Sequence, residues 1–286
     1  MIIARLNGGL GNQMFQYAAG RALAARHGAE LGLDLRVYDD RPQFQYGLGH
    51  FSISARILTE PELPPSRTTA KLRYMMWRAG LTGPRLLSQR SDGFDDRFLR
   101  MGNNSCLRGY WQSERFFEDV KPIIAQEFRI LTPPSRANID MADRIRAVNA
   151  VSLHIRRGDY VSNPSANAVH GLCDMGYYAR ALDLIAERTP TAIEVFVFSD
   201  DPDWARDNLH TAVPRVIVDL NDSDHQYEDL RLMSLCSHNI IANSSFSWWG
   251  AWLNPSTQKT VIAPRQWFRQ PSKHNPDICP PEWNRI

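Results

Sequence analysis

Short apolar runs that end in glycine or polar residues recur along the chain and set its organisation. The first, Ile2 to Leu6, predicts a buried strand and gives way to the turn Asn7-Gly8-Gly9-Leu10-Gly11-Asn12. Gln13 to His27 then carries a helical period, with Met14, Tyr17, Ala18, Arg21, Ala22 and Ala25 recurring at three and four. Leu31 to Leu35 predicts a second strand. From there to about Thr69, Pro, Gly and polar residues predict mainly loop. Leu107 to Trp111 reads as a strand end and Glu114 to Phe128 as a helix. Thr132-Pro133-Pro134-Ser135 is the expected hinge, because paired prolines cannot continue a helix and they stiffen a linker.

Beyond the hinge the alternation is regular. Helices are predicted from Arg136, over Gly176 to Glu187, around Tyr227 to Cys236 and from Ser245. Strands are predicted at Val151 to Ile155, Ile193 to Phe198, Val216 to Val218, Asn239 to Ala242 and Val261 to Ala263. Strands alternating with helices imply βαβ units and parallel sheet. The expected fold class is α/β, with two doubly wound domains, 1–135 and 136–286, facing one another.

The totals agree with two domains: 286 residues, 43% hydrophobic and 22% charged. A net charge of +2 is too balanced for a dedicated nucleic-acid binder. Cys106, Cys173, Cys236 and Cys279 are scattered, with no C-x-x-C, so neither a zinc site nor a disulfide framework is expected. The apolar start MIIARLNGG is brief for a signal peptide, and no run has the length to cross a bilayer. The expectation is a soluble cytoplasmic protein. One segment qualifies it: residues 67–100 hold eight Lys or Arg against three Asp, with Tyr74, Met75, Met76 and Trp77 among them. That pattern predicts a basic helix over the core and raises weak peripheral contact with anionic lipid.

Four strand ends are conspicuously polar: Asn7 to Asn12, His154 to Asp159, Ser199 to Asp201, and Asn243-Ser244-Ser245-Phe246-Ser247. In open α/β sheets ligands bind beyond such ends. Ser and Asn also cap helices, so the last two groups have a structural reading as well. The pair Arg156-Arg157 is more specific, since adjacent guanidiniums repel unless a polyanion lies against them and since Arg recognises phosphate at two points. His154, two residues before Arg156, shares its face, and Asp159 can orient one guanidinium. A pyrophosphate clamp is the favoured reading and a structural ion-pair network the alternative. Asp222-Ser223-Asp224 matches a metal-binding D-x-D pattern, but its place in a polar loop before a helix favours capping. No metal is expected.

His154-Ile155-Arg156-Arg157-Gly158-Asp159 resembles the H-x-R-R-x-D signature of fucosyltransferases. Gly8 to Tyr17, Gly109 to Glu114, Phe198 to Asp201 and Ile240 to Leu253 are similar to blocks of the bacterial α-1,2-fucosyltransferases of glycosyltransferase family 11. The resemblance implies a GT-B fold, two Rossmann-like domains with the active site in the cleft. It implies transfer of L-fucose, with inversion and without metal or other cofactor, from GDP-β-L-fucose to the 2-hydroxyl of a β-galactoside-terminated oligosaccharide or lipid-linked glycan, such as an O-antigen. The N-terminal domain would serve the acceptor and the C-terminal domain the donor. Arg156 and Arg157 would hold the donor phosphates. His154, Ser199, Asp200 and Asp201 would lie near the nucleoside, with Asp200 or Asp201 accepting from guanine. Ser244, Ser245 and Ser247 would complete the phosphate cradle, with Asn243 and Phe246 as further donor-binding residues. Gly11 and Gln13 would add donor contacts from the other domain, where Asn12 would face the sugar. Asp159 joins the arginines and Asn12 as a catalytic candidate; the general base is unassigned. The alternatives are an α-1,6- or other fucosyltransferase and a non-catalytic nucleotide- or glycan-binding module.

Overall fold

The computed structural model describes residues 1–39, 44–65 and 70–286, with every side chain among them except that of Asp159. The chain forms two compact units, Met1–Leu131 with Asn275–Ile278, and Thr132–His274 with Cys279–Ile286. The first unit therefore takes back a short piece of the C-terminal chain, which no local pattern announced.

In the first unit, β1 (Ile2–Arg5), β2 (Leu31–Asp34), β3 (Arg56–Ile57), β4 (Arg85–Ser88) and β5 (Ser105–Arg108) form one parallel sheet in the order β3-β2-β1-β5-β4. Ile2, Ile3 and Ala4 are buried on both faces, which is why the strand is continuously apolar rather than alternating. The helix Leu10–His27 starts inside the expected glycine turn, because Gly9 O accepts from both Asn12 N and Gln13 N. The helix expected over Glu114 to Phe128 is broken. Single 3-10 turns occupy Glu114–Phe116 and Glu118–Val120, and only Lys121–Glu127 is α-helical. Pro122 is the cause: it lacks an N–H and fits only the first turn of a helix. Between Arg36 and Thr69 the described residues are mostly loop, with β3 as a two-residue edge strand.

In the second unit, β6 (Asn149–Ile155), β7 (Ile193–Ser199), β8 (Arg215–Val218), β9 (His238–Ile240), β10 (Val261–Ala263) and β11 (Asn284–Arg285) form a parallel sheet in the order β11-β10-β9-β6-β7-β8. The chain runs outward from β6 to β8, returns to the other side of β6, and runs outward again to β11. This is the Rossmann strand order. Successive side chains face opposite sides of a strand. Val151, Leu153, Ile155, Val195 and Val197 pack under Tyr177, Tyr178, Ala181 and Ile185 of the helix Met175–Arg188. Ala150, Phe196 and Phe198 pack on the opposite face with Ala142 and Ile145 of Arg136–Arg146 and Leu232 and Met233 of Gln226–Leu235. Trp248 and Trp249, which could have served a sugar as a stacking platform, are 0% exposed and pack ring to ring at 4.8 Å. Both units are thus doubly wound and Rossmann-like, as the GT-B class requires. No helix among the described residues is long and apolar enough to cross a membrane.

Candidate active site

In a sheet of this kind the ligand crevice opens where the strand order reverses, beyond the carboxyl ends of the strands flanking the reversal. In the second unit that place is β6, which lies between β7 and β9. Ile155 pairs with Ser199 at the end of the β6–β7 ladder, so Arg156 and Arg157 leave the sheet beside Asp200 and Asp201. The β9 strand on the other side delivers Asn243 to Ser247 to the same rim.

Each arginine has a carboxylate. Arg156 Nη1 lies 2.9 Å from Asp200 Oδ2, and Arg157 Nε donates to Asp201 Oδ2 at 3.0 Å. Each also has an aromatic ring, with the Arg156 guanidinium 5.6 Å from the Tyr160 centroid and that of Arg157 3.7 Å from Trp204. Ion pair and ring together fix the plane of a guanidinium, which one alone does not. The carboxylates are themselves anchored. Asp200 Oδ1 accepts from Arg157 N at 2.8 Å, and Asp201 Oδ1 caps the helix Pro202–Asn208 by accepting from Trp204 N at 3.2 Å. Ser199 Oγ accepts from Asp201 N. A Cβ at Gly158 would sit 2.5 Å from Asp200 Oδ2, so this position admits only glycine while Asp200 holds its place. Asp159 lies in the short helix Gly158–Ser162, and its side chain is outside the described residues. The sequence reading has Asp159 able to orient one guanidinium and Asp200 or Asp201 accepting from guanine. The structure has Asp200 and Asp201 orienting the arginines, and it adds Trp204 and Tyr160, which sequence reasoning missed. Trp204 had a signal, since it follows Asp201-Pro202 at the third position of a capped helix, whose cap residue Asp201 also pairs with Arg157.

His154 is 4% exposed, with its ring 5.8 Å from that of Phe246 and its Nδ1 unpartnered. Burial, and secondarily Arg156, push its pKa down to about 3, so the ring is neutral. Asn243 is tied into the fold. Its Nδ2 donates to His170 O, Gly171 O and Trp267 O, and its Oδ1 accepts from Cys173 Sγ. Ser244 caps the helix Ser245–Trp252 through Phe246 N, and Ser247 Oγ donates to Ser244 O. Ser245 occupies the first helical position, beside the half-buried Phe246.

The first unit has its own reversal, at β1 between β2 and β5. Gly8 there has φ +83°, and a Cβ would lie 2.7 Å from Asn12 Nδ2, so both backbone and space require glycine. Gln13 is 0% exposed; its Nε2 donates to Gly8 O and Gln45 O, and its Oε1 accepts from Gly47 N. Gln16, also buried, accepts from Asn7 N and donates to Asn7 O and Gly109 O, which sews the β1 turn to the β5 turn. Asn12 Oδ1 accepts from Gln112 Nε2 at 2.7 Å. Gly11 is buried in the first turn of the helix. Trp111 completes this rim with φ 55°, an unusual value for a side chain of its size.

Asp222 Oδ1 accepts from Asp224 N, His225 N and the His225 ring, the turn-capping role expected of that loop. All four cysteines are free thiols.

A Rossmann-ordered sheet with oriented arginines at its reversal has the layout expected of a glycosyltransferase. The pattern described as glycosyl transferase family 11 matches residues 89–286, and the chain belongs to that family. An α-1,2-colitosyltransferase of Escherichia coli is 37% identical over 297 residues, covering 100% of this chain and 99% of that protein. The O-antigen biosynthesis glycosyltransferase WbnK of Escherichia coli is 33% identical, covering 92% and 93%. Galactoside α-(1,2)-fucosyltransferase 2 of Rattus norvegicus is 27% identical, covering 86% of this chain and 65% of that protein. The protein is a fucosyltransferase-like glycosyltransferase. The family pattern begins after the glycine turn, whereas the match to the colitosyltransferase extends across it.

Proposed function

We propose that the protein transfers L-fucose, with inversion and without metal, from GDP-β-L-fucose to the 2-hydroxyl of a terminal β-galactoside in an oligosaccharide or lipid-linked glycan. The observation that carries this reading is the pair of guanidiniums at the sheet reversal, each held by a carboxylate and a ring. Departure of GDP from an oxocarbenium-like centre develops charge on the β-phosphate. Donors already fixed in place stabilise that charge without reorganising, which is the largest single contribution available to such a site. The quartet of two arginines and two aspartates is formally neutral, so the phosphate gains from donor geometry more than from net field. The serine-capped helix start at Ser244 to Ser247 adds backbone N–H groups and a favourable dipole on the other side of the reversal. His154, neutral and inside the rim, is suited to a hydrogen bond to the nucleoside. On this reading the first unit receives the acceptor, and Asn12 faces the sugar being moved.

A second donor has a specific observation in its favour, the 37% identity to an α-1,2-colitosyltransferase. Colitose is L-fucose without its 3-hydroxyl, so the same phosphate clamp and the same linkage serve either sugar. The two donors differ only where the 3-hydroxyl would be hydrogen-bonded. The test is a donor and acceptor screen in EDTA, with the product linkage determined by NMR. Turnover of GDP-fucose to an α-1,2-linked galactoside is expected; turnover of GDP-colitose alone moves the assignment to the second donor. Thermal stabilisation by GDP and not by UDP separates the nucleotide requirement from the choice of sugar. Equal stabilisation by UDP-sugars, or loss of activity in EDTA, overturns the proposal.

A further inference from the structure

The surface helix Lys71–Arg78 of the first unit turns two unlike faces in opposite directions. Its inner face is anchored by Trp77, which is 1% exposed and packs with Ile3, Leu58 and Cys106. Trp77 Nε1 donates to Pro84 O at 2.7 Å, and Tyr74 lies against the indole at 5.8 Å. At about 100° per residue, Leu72, Met75 and Met76 fall on the side away from Trp77, and they are 72%, 58% and 38% exposed. Leu81, just past the helix, is 72% exposed. Exposed Lys71 and Arg78 flank this stripe on one side and Arg73 on the other. Residues 63–91 contain Arg67, Lys71, Arg73, Arg78, Arg85 and Arg90 and not one Asp or Glu.

Single exposed apolar residues are ordinary, but a contiguous apolar stripe rimmed by cations is not. We propose that this helix is a membrane-docking surface. Leu72, Met75, Met76 and Leu81 enter the headgroup–acyl boundary, and Lys71, Arg73, Arg78 and Arg85 hold anionic headgroups. Charge selects this occupant over a second copy of the chain, because a self-complementary contact would set the cations of this helix, whose own segment 63–91 holds no Asp or Glu, against one another. The proposal does not depend on the donor reading; it supplies the place where a lipid-linked acceptor is met.

The test sediments the intact chain with vesicles of phosphatidylcholine containing about 30% phosphatidylglycerol, and with phosphatidylcholine alone, at low and high salt. Binding is expected only to the anionic vesicles, and it falls as salt rises. Arg73→Gln with Arg78→Gln lowers the partition coefficient about 25-fold, and Leu72→Ser with Met75→Ser also lowers it strongly, neither moving the melting temperature appreciably. Binding indifferent to lipid charge, or unchanged in either double variant, overturns the proposal. A monomer–dimer equilibrium abolished by Leu72→Ser overturns it too, and gives the face to a second copy.

Discussion

The two sheet reversals of this protein are built from opposite kinds of polar group. The loops leaving β1 and β5, residues 6–13 and 109–112, contain no ionisable side chain except Tyr110. Gln13, and Gln16 one turn further along the helix, are buried and bond the backbone of the turns themselves. The loops leaving β6 and β7 carry four charges, all at least partly exposed, in which carboxylates hold guanidiniums in position. The first rim uses polarity to hold its own shape. The second uses carboxylates to hold guanidiniums, which on the proposed reading serve a diphosphate. The lesson is that a polar cluster at a strand end is informative only once the direction of its hydrogen bonds is known.

The largest effect is expected where charge is presented outward. Arg157→Ala lowers turnover about 100- to 1,000-fold with the melting temperature nearly unchanged, and Arg157→Lys restores little because it lacks the planar fork. Gln16→Ala should do the reverse. It leaves Asn7 and Gly109 backbone groups short of partners and costs roughly 2–3 kcal/mol of stability, read as a lower denaturant midpoint with folded molecules still active. If Gln16→Ala abolishes turnover at full stability, the contrast between the rims fails. Trp204→Leu is intermediate. Losing the ring beneath Arg157 lowers turnover about 2- to 30-fold, checked by steady-state kinetics at saturating donor.

The smallest effect concerns pH. The folded-state pKa of His154 is depressed to about 3 from 6.5. The unfolded chain therefore binds the extra proton first, and the stability that His154 contributes above pH 6.5 is lost as pH falls towards 3. His154→Gln is expected to flatten the acid limb of the stability profile over that window. An acid limb identical to that of the parent protein removes His154 from the account.

Much of the fold was legible in the sequence and much of the site was not. Strands such as Val151 to Ile155 and Ile193 to Phe198 announced themselves because each is buried on both faces. The two-residue strands β3 and β11 are too short to display any period, so the full sheet orders were hidden. Pro122 is plain in the sequence, and it confines the helix expected over Glu114 to Phe128 to Lys121–Glu127. The arginines were legible as a pair of like charges. Their partners were not, since Asp200 and Asp201 meet them only through the β6–β7 register, more than forty residues along the chain. Gln13 and Asn243 show the opposite limit: sequence gives the residue type, and only the fold shows that their side chains face inward.

The central claim, that Arg156 and Arg157 hold a diphosphate, is tested most directly by calorimetric titration of GDP and GMP into the parent protein and the Arg156→Ala and Arg157→Ala variants. The account predicts that the parent prefers GDP to GMP by more than about tenfold. Each variant loses that preference, still binds GMP, and melts where the parent melts. A preference for GDP that survives in both variants, with melting temperatures that fall sharply, would make the arginines structural ion-pair partners and contradict the claim.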